Sequence, residues 1–239
     1  MSSPCPGRTE TSAVAARARG FGVVGRLAAV LKRAADPCAA HHLAAGETDR
    51  ALALAATRME LDGLAEQTVL VMAADHLISP LNTFAASVEA ASKDAEAGFI
   101  VPYGIVPTSP STGYGYIEVP ERSSDAVLTV SSFREKPDTA TAEEYVASGR
   151  YYWNSGMFCF RTGTVLEALA EHAPDVFEAA GQVWEATDRS ARSVELPEEP
   201  FAQCPSISID YAVMERAANT AVVAGEFGWS DIGSWKAIS

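Results

Sequence analysis

The chain has 239 residues, 48% hydrophobic and 21% charged, with a formal net charge of −13. With mean hydropathy near zero, this is a globular composition, neither disordered nor fibrous, and enough chain for one large domain or two small ones. The acidic balance argues against a nucleic-acid partner, which would want clustered Lys and Arg, and no apolar run approaches the roughly 18 residues of a membrane-spanning helix.

Residues 1–50 hold seven basic residues against four acidic ones, and twelve alanines. They read as a divergent or poorly ordered Ala/Arg-rich segment, helical around residues 25–35, preceding a domain over 51–239. An Arg-rich, acid-poor start also resembles an organelle transit peptide; an atypical N-terminus is the preferred reading. The four cysteines, Cys5, Cys38, Cys159 and Cys204, form no C-x-x-C pair. Scattered thiols in a chain this long point to a reducing compartment, hence the cytoplasm.

From residue 51 the pattern changes. Residues 51–64 read as an Ala/Leu-rich helix. Residues 68–74 (TVLVMAA) are a short apolar run, the signature of a buried strand. A helix over 82–97 follows, then strands over 99–106 and 116–119 with a turn-rich loop between them, and a strand over 126–133. Thr141-x-x-Glu144 has capping-box spacing and opens a helix that stops at Gly149. Residues 151–161 are apolar and aromatic, interrupted by Asn154-Ser155-Gly156. Residues 164–172, 175–187 and 208–218 read as helices, and 221–224 as a strand. Strands alternating with helices imply an α/β layered sheet.

Several residues could carry chemistry. Asp75 follows the buried strand at 68–74, where open α/β sheets bind ligands, and a carboxylate there can hold a hard cation against a phosphate; it equally fits a loop aspartate. His76 fits a hydrogen-bonded structural histidine. Asp231 lies in W-S-D-I-G-S-W (229–235), where aromatics can wall a dry pocket, and two distant aspartates can share one Mg²⁺; a packed glycine turn explains the same letters. In Phe133-Arg134-Glu135-Lys136-Pro137, Lys136 can neutralise a phosphate and Glu135 can accept from sugar hydroxyls; a charged turn closed by proline is the plainer reading. Gly113 and Gly115 in T-G-Y-G-Y (112–116) could open backbone N–H groups to a ligand or form a hairpin turn. Asn154, flanked by aromatics, suits sugar binding, or a buried strand bulged at Gly156. Gly20-x-Gly22-x-x-Gly25 matches a dinucleotide fingerprint but follows no strand, so it is discounted.

Taken in order, the stretches VLVMAADHLI (69–78), YGIVPTSPSTGYGYIEV (103–119), FREKPD (133–138), YVASGRYYWNSGMFCFRTG (145–163), CPSISIDYAVMERA (204–217) and GWSDIGSWKAI (228–238) resemble the sugar-nucleotide pyrophosphorylases. They are most similar to the mannose-1-phosphate guanylyltransferases, including the guanylyltransferase part of the bifunctional enzymes with mannose-6-phosphate isomerase. The resemblance covers about residues 50–239. It implies a Rossmann-like nucleotide-diphospho-sugar transferase fold with a mixed, mostly parallel sheet. It implies an enzyme that converts GTP and mannose 1-phosphate to GDP-mannose and pyrophosphate for polysaccharide precursors, with no nucleic-acid or membrane partner, and it is compatible with a homo-oligomer. By the same resemblance Asp75 and Asp231 would bind Mg²⁺, Glu135 and Asn154 would contact mannose hydroxyls, Gly113 would offer backbone to the sugar, and Lys136 would meet the sugar phosphate. Asp210 lies in a motif of this branch and receives no direct role. The family's G-G-x-G-T-R-L-W-P triphosphate loop has only a faint echo here, in residues 22–27, so the N-terminal strand and loop are expected to be missing or divergent. Two alternatives to a working enzyme stay open: a catalytically silent sugar-phosphate-binding or regulatory homologue, and a truncated gene product.

Overall fold

The computed structural model describes residues 28–32, 47–73, 76–122, 127–188 and 196–231, with side chains from residue 52 onward. Its strands are β1 (Ala28–Lys32), β2 (Thr68–Ala73), β3 (Leu77–Ser79), β4 (Val101–Ile105), β5 (Tyr116–Glu118), β6 (Val127–Thr129), β7 (Ser132–Arg134), β8 (Tyr151–Arg161), β9 (Ala221–Gly225) and β10 (Gly228–Ser230). Its α-helices are α1 (Glu47–Leu61), α2 (Leu81–Glu96), α3 (Thr139–Ser148), α4 (Thr162–His172), α5 (Pro174–Glu185) and α6 (Glu198–Gln203), and a π-turn covers Asp210–Met214.

The main sheet runs β1-β2-β8-β4-β9-β6, with β5 pairing both β8 and β7; β3 and β10 form a separate antiparallel ribbon. β1 with β2 and β4 with β9 are parallel, whereas β8 is antiparallel to β2, β4 and β5. β1, β2, β4, β5 and β9 therefore share one direction, and β6, β7 and β8 oppose them. The sheet is mixed, as the resemblance implies, with two parallel and five antiparallel pairings among the described strands.

Alternation along the strands sends side chains into two cores, because successive residues of a strand face opposite ways. Val69, Val71, Phe158, Phe160 and Val222 join the core beneath α1, α4 and α5. Leu70, Met157, Cys159 and Val223 join the core on the other face, against Phe84, Val88 and Ala91 of α2. A sheet covered on both faces explains why β2 and β8 read as nearly continuous apolar runs.

Several elements differ from expectation. Residues 28–32 form a strand parallel to β2, not the helix read around 25–35, their backbone pairing with residues 69–73 in the β2 ladder. α1 begins at Glu47, ahead of residue 51. The run 126–133 is two strands, because the chain changes partners at its middle: β6 pairs with β9 and β7 with β5, and between them Val130 N donates to Thr220 O and Ser131 N to Glu118 O. α3 is capped by Asp138, whose carboxylate accepts from Thr141 N at 2.8 Å, not by Thr141. That bond holds the Asp138 carboxyl below its ordinary pKa, and Gly149 ends the helix at φ 67° in the left-handed region that glycine favours. The helix read over 208–218 is only the π-turn, closed by Glu215 N donating to Asp210 O at 3.1 Å. β3, β10 and α6 carry three to six residues each and no periodic signal. Among the described residues no helix is long and apolar enough to cross a membrane.

Cys159 is a buried free thiol and Cys204 is buried; Cys5, Cys38, the Gly20–Gly22–Gly25 fingerprint and most of residues 1–50 lie outside the described residues. Burial pushes the Cys159 thiol from its ordinary 9.0 up to about 12. Folding then favours the protonated thiol, so its stabilisation is complete below about pH 9 and declines toward pH 12, by at most about 1.4 kcal/mol per pH unit. Denaturant titrations between pH 8 and 11 check this: Cys159→Ala is expected to show a shallower alkaline loss of stability than the parent chain.

Candidate functional site

The site is organised by a bulge in β8. Along β4 and β8 the register passes from Pro102↔Phe158 to Gly104↔Asn154, so two steps on β4 span four on β8. Gly156 accommodates the bulge at φ 71°. The bulge satisfies its own backbone: Gly156 N donates to Asn154 Oδ1 at 3.1 Å, Met157 N to Ser155 Oγ at 3.3 Å, and Ser155 Oγ to Tyr103 O at 2.8 Å. The bulged-strand reading of this segment therefore holds, and the bulge is also what sets the Asn154 side chain. Its Nδ2 donates to Asp210 Oδ1 at 2.8 Å, and its backbone N donates to Gly115 O at 2.8 Å.

Gly115 is the junction. A Cβ at this position would collide with Glu135 Oε2 and lie 3.3 Å from Asn154 Cβ and 3.2 Å from Phe133 Cζ. The Glu135 carboxylate thus rests over the one residue type that leaves room for it, beside Asn154. Its side chain is only 8% exposed, and Lys136 Nζ lies 3.3 Å from its Oε1 while remaining solvent-accessible itself. The Glu135 backbone N donates to Glu215 Oε1 at 3.4 Å. Lys136 has φ 45°, unusual for a side-chain-bearing residue and more so before Pro137. Such backbone costs about 1 kcal/mol or more, and here it turns the chain sharply as it leaves β7.

Asp231 joins this group through Tyr114. The Tyr114 hydroxyl donates to Asp231 Oδ1 at 3.2 Å. The Tyr114 ring lies 5.0 Å from Trp153 and 5.5 Å from Trp229, and His76 meets Trp229 edge-on at 5.3 Å. Burial, followed by the Asp231 charge and their hydrogen bond, raises the Tyr114 pKa, so the phenol stays protonated and remains the donor. The β3–β10 ribbon pairs Leu77 with Ser230. His76 immediately precedes Leu77 and Asp231 immediately follows Ser230, so the ribbon brings the segment after β2 to the segment carrying Asp231.

The structure thus brings Glu135, Lys136 and Asn154 together at Gly115, while Asp231 is bonded to Tyr114, the residue that precedes Gly115. Gly113 lies on the exposed loop two residues away, with its N–H donated to Ser111 Oγ at 3.2 Å. Asp75, Gly233 and Trp235 lie outside the described residues. Gly115 and Tyr114 have structural roles that the T-G-Y-G-Y letters suggest only as a glycine-spaced loop. Asp210 acquires one as the acceptor for Asn154.

The donor set bears on a metal. Among the described residues no group of three or more His, Cys, Asp or Glu side chains could hold an ion, and Asp75 lies outside them. Mg²⁺ needs only one or two carboxylates, its remaining ligands being water and substrate phosphate. Asp231, steadied by a phenol and beside an aromatic wall, suits such a hard cation.

The chain resembles known proteins over most of its length. The nucleotidyl transferase family matches residues 33–239. The mannose-1-phosphate guanylyltransferase of Escherichia coli K12 is 47% identical over 190 residues, 78% of this chain and 39% of that protein. The xanthan biosynthesis protein XanB of Xanthomonas campestris pv. campestris B100 is 44% identical over 191 residues, 80% of this chain and 40% of that protein. This chain therefore spans about two fifths of the length of these relatives. Among solved structures, the mannose-1-phosphate geranyltransferase of Thermus thermophilus superposes with TM-score 0.72 at 31% identity, covering 93% of this chain and 66% of that one.

Proposed function

The chain belongs to the nucleotidyl transferase family, and we propose that it transfers a guanylyl group from GTP to mannose 1-phosphate, forming GDP-mannose and pyrophosphate. The observation that carries this reading is the meeting of Glu135 and Asn154 over Gly115, tied through Tyr114 to Asp231. Two hydrogen-bonding side chains over a glycine suit a polyhydroxylated ring, and a carboxylate at the edge suits a cation that accompanies phosphates. Relatives named for this activity at 41–47% identity support the same substrates, and the XanB relative supports a place in polysaccharide biosynthesis.

In this reading a sugar-phosphate oxygen attacks the α-phosphorus of GTP. The new P–O bond forms as the bond to the β-phosphate's bridging oxygen breaks, and pyrophosphate leaves with the electron pair. The protein's work is alignment and charge stabilisation rather than covalent catalysis. Glu135 accepts from ring hydroxyls, and Asn154 offers them its remaining N–H and lone pair. Lys136, half held by Glu135, neutralises the sugar phosphate. Asp75 and Asp231 would hold Mg²⁺, which when bound screens the two anionic substrates from each other. Tyr114 keeps the Asp231 carboxylate in place. The dispersed cysteines fit a cytoplasmic setting for this chemistry.

The test is pyrophosphate release by the chain from GTP and mannose 1-phosphate with Mg²⁺. Release above that of an Asp231→Asn control is expected. Release no greater than the control would overturn the proposal, and mannose 1-phosphate binding without release would mark a silent sugar-phosphate-binding homologue.

A further inference from the structure

We infer that Asp210 is a positioning residue that fixes which sugar epimer the site accepts, an inference that rests on the hexose-phosphate reading above. A side-chain amide carries two N–H donors and an oxygen with two lone pairs, and the two ends exchange if the group turns over. At Asn154 both ends are assigned. Its oxygen accepts from Gly156 N, which can only donate, and its nitrogen donates to Asp210 Oδ1, which as a carboxylate can only accept. The amide therefore has one satisfied orientation, leaving one N–H and one lone pair in fixed directions for a ligand.

The π-turn that carries Asp210 reaches the site a second time. Glu215, at its far end, accepts from the Glu135 backbone N at 3.4 Å. The two residues close the turn between them, Glu215 N donating to Asp210 O at 3.1 Å. One wide turn, of a kind that recurs at functional positions, thus holds the side chain of one sugar-facing residue and the backbone of the other. An α-helical turn there would not place both acceptors in these positions. Asp210 acts through Asn154 and distinguishes hexose 1-phosphates that differ in the orientation of one hydroxyl.

The experiment measures the dissociation constants of mannose 1-phosphate and glucose 1-phosphate by titration calorimetry on the full chain, Asp210→Ala and Asp210→Asn, with thermal melts of each. Removing a negative charge near a phosphate strengthens both ligands alike, so the readout is the dissociation constant of glucose 1-phosphate divided by that of mannose 1-phosphate. In Asp210→Ala that ratio is expected to fall roughly 5- to 10-fold, the size of one misdirected hydrogen bond. In Asp210→Asn, whose oxygen can still accept from Asn154, it stays within about twofold. An unchanged ratio in Asp210→Ala, or an equal fall in both variants, would overturn the inference while leaving the hexose-phosphate reading in place. Unfolding of Asp210→Ala would assign the residue to the fold and also overturn it. A parent chain that binds neither ligand would overturn both the inference and the reading beneath it.

Discussion

Asp231→Asn is expected to lower pyrophosphate release by about 10²–10³-fold, the usual loss when a positioned electrostatic contact at a transferring group is removed. The substitution is nearly isosteric, and its amide oxygen can still accept from Tyr114 OH, the 3.2 Å bond of the parent chain. What it loses is the charge that a hard cation requires. Mannose 1-phosphate affinity should stay within about threefold, because Glu135 and Asn154 are untouched. Rate measured against Mg²⁺ concentration should show half-saturation moved upward, with partial recovery at high Mg²⁺. A full rate at ordinary Mg²⁺ would remove Asp231 from the chemistry.

The second large effect belongs to Gly115→Ala. The added carbon would occupy the space of the Glu135 carboxylate, so either the carboxylate swings out or the β5 approach shifts. Both move Glu135 and Asn154 apart, and the KM for mannose 1-phosphate is expected to rise tenfold or more, with a smaller change in kcat. Gly181→Ala is the control. It lies in α5, where a Cβ would meet nothing within 4 Å, so it should leave the kinetics alone and stabilise slightly through helix propensity. Equal kinetics for Gly115→Ala and the parent would mean that Glu135 does not touch the sugar.

Much of the architecture was legible because its central strands are buried on both faces. TVLVMA and YYWNSGMFCFR announce themselves as apolar runs rich in β-branched and aromatic residues. Where tertiary pairing decides, local pattern misleads. The segment at 28–32 offers no more strand signal than helix signal, and only the ladder with β2 settles it. The switch of partners at Val130–Ser131 splits an unbroken run in two, and the ribbon of β3 with β10 is too short to leave a period. At α3, Asp138 outcompetes Thr141 because its carboxylate reaches the Thr141 N–H, while the S/T-x-x-E spacing is only a permissive sign.

The site was legible in a different way. Spacing alone left Glu135, Asn154 and Asp231 each explicable as turn or packing residues; the family resemblance singled them out, and the structure sets Glu135 beside Asn154 at Gly115 and Asp231 against Tyr114. Gly115 stood next to the chosen Gly113 in the same loop, and nothing in the letters says which glycine lies beneath a carboxylate. The Asn154–Asp210 bond links residues 56 apart in sequence, a contact that depends on the β8 bulge and on a π-turn, neither of which has a reliable sequence signature.

The most direct measurement is a crystal structure of the chain soaked with GDP-mannose and Mg²⁺. The account predicts the hexose above Gly115, its hydroxyls within hydrogen-bonding distance of Glu135 and Asn154, its phosphate toward Lys136, and the cation on Asp231. A hexose seated elsewhere, with Glu135 and Asn154 still bonded only to their protein partners, would contradict it.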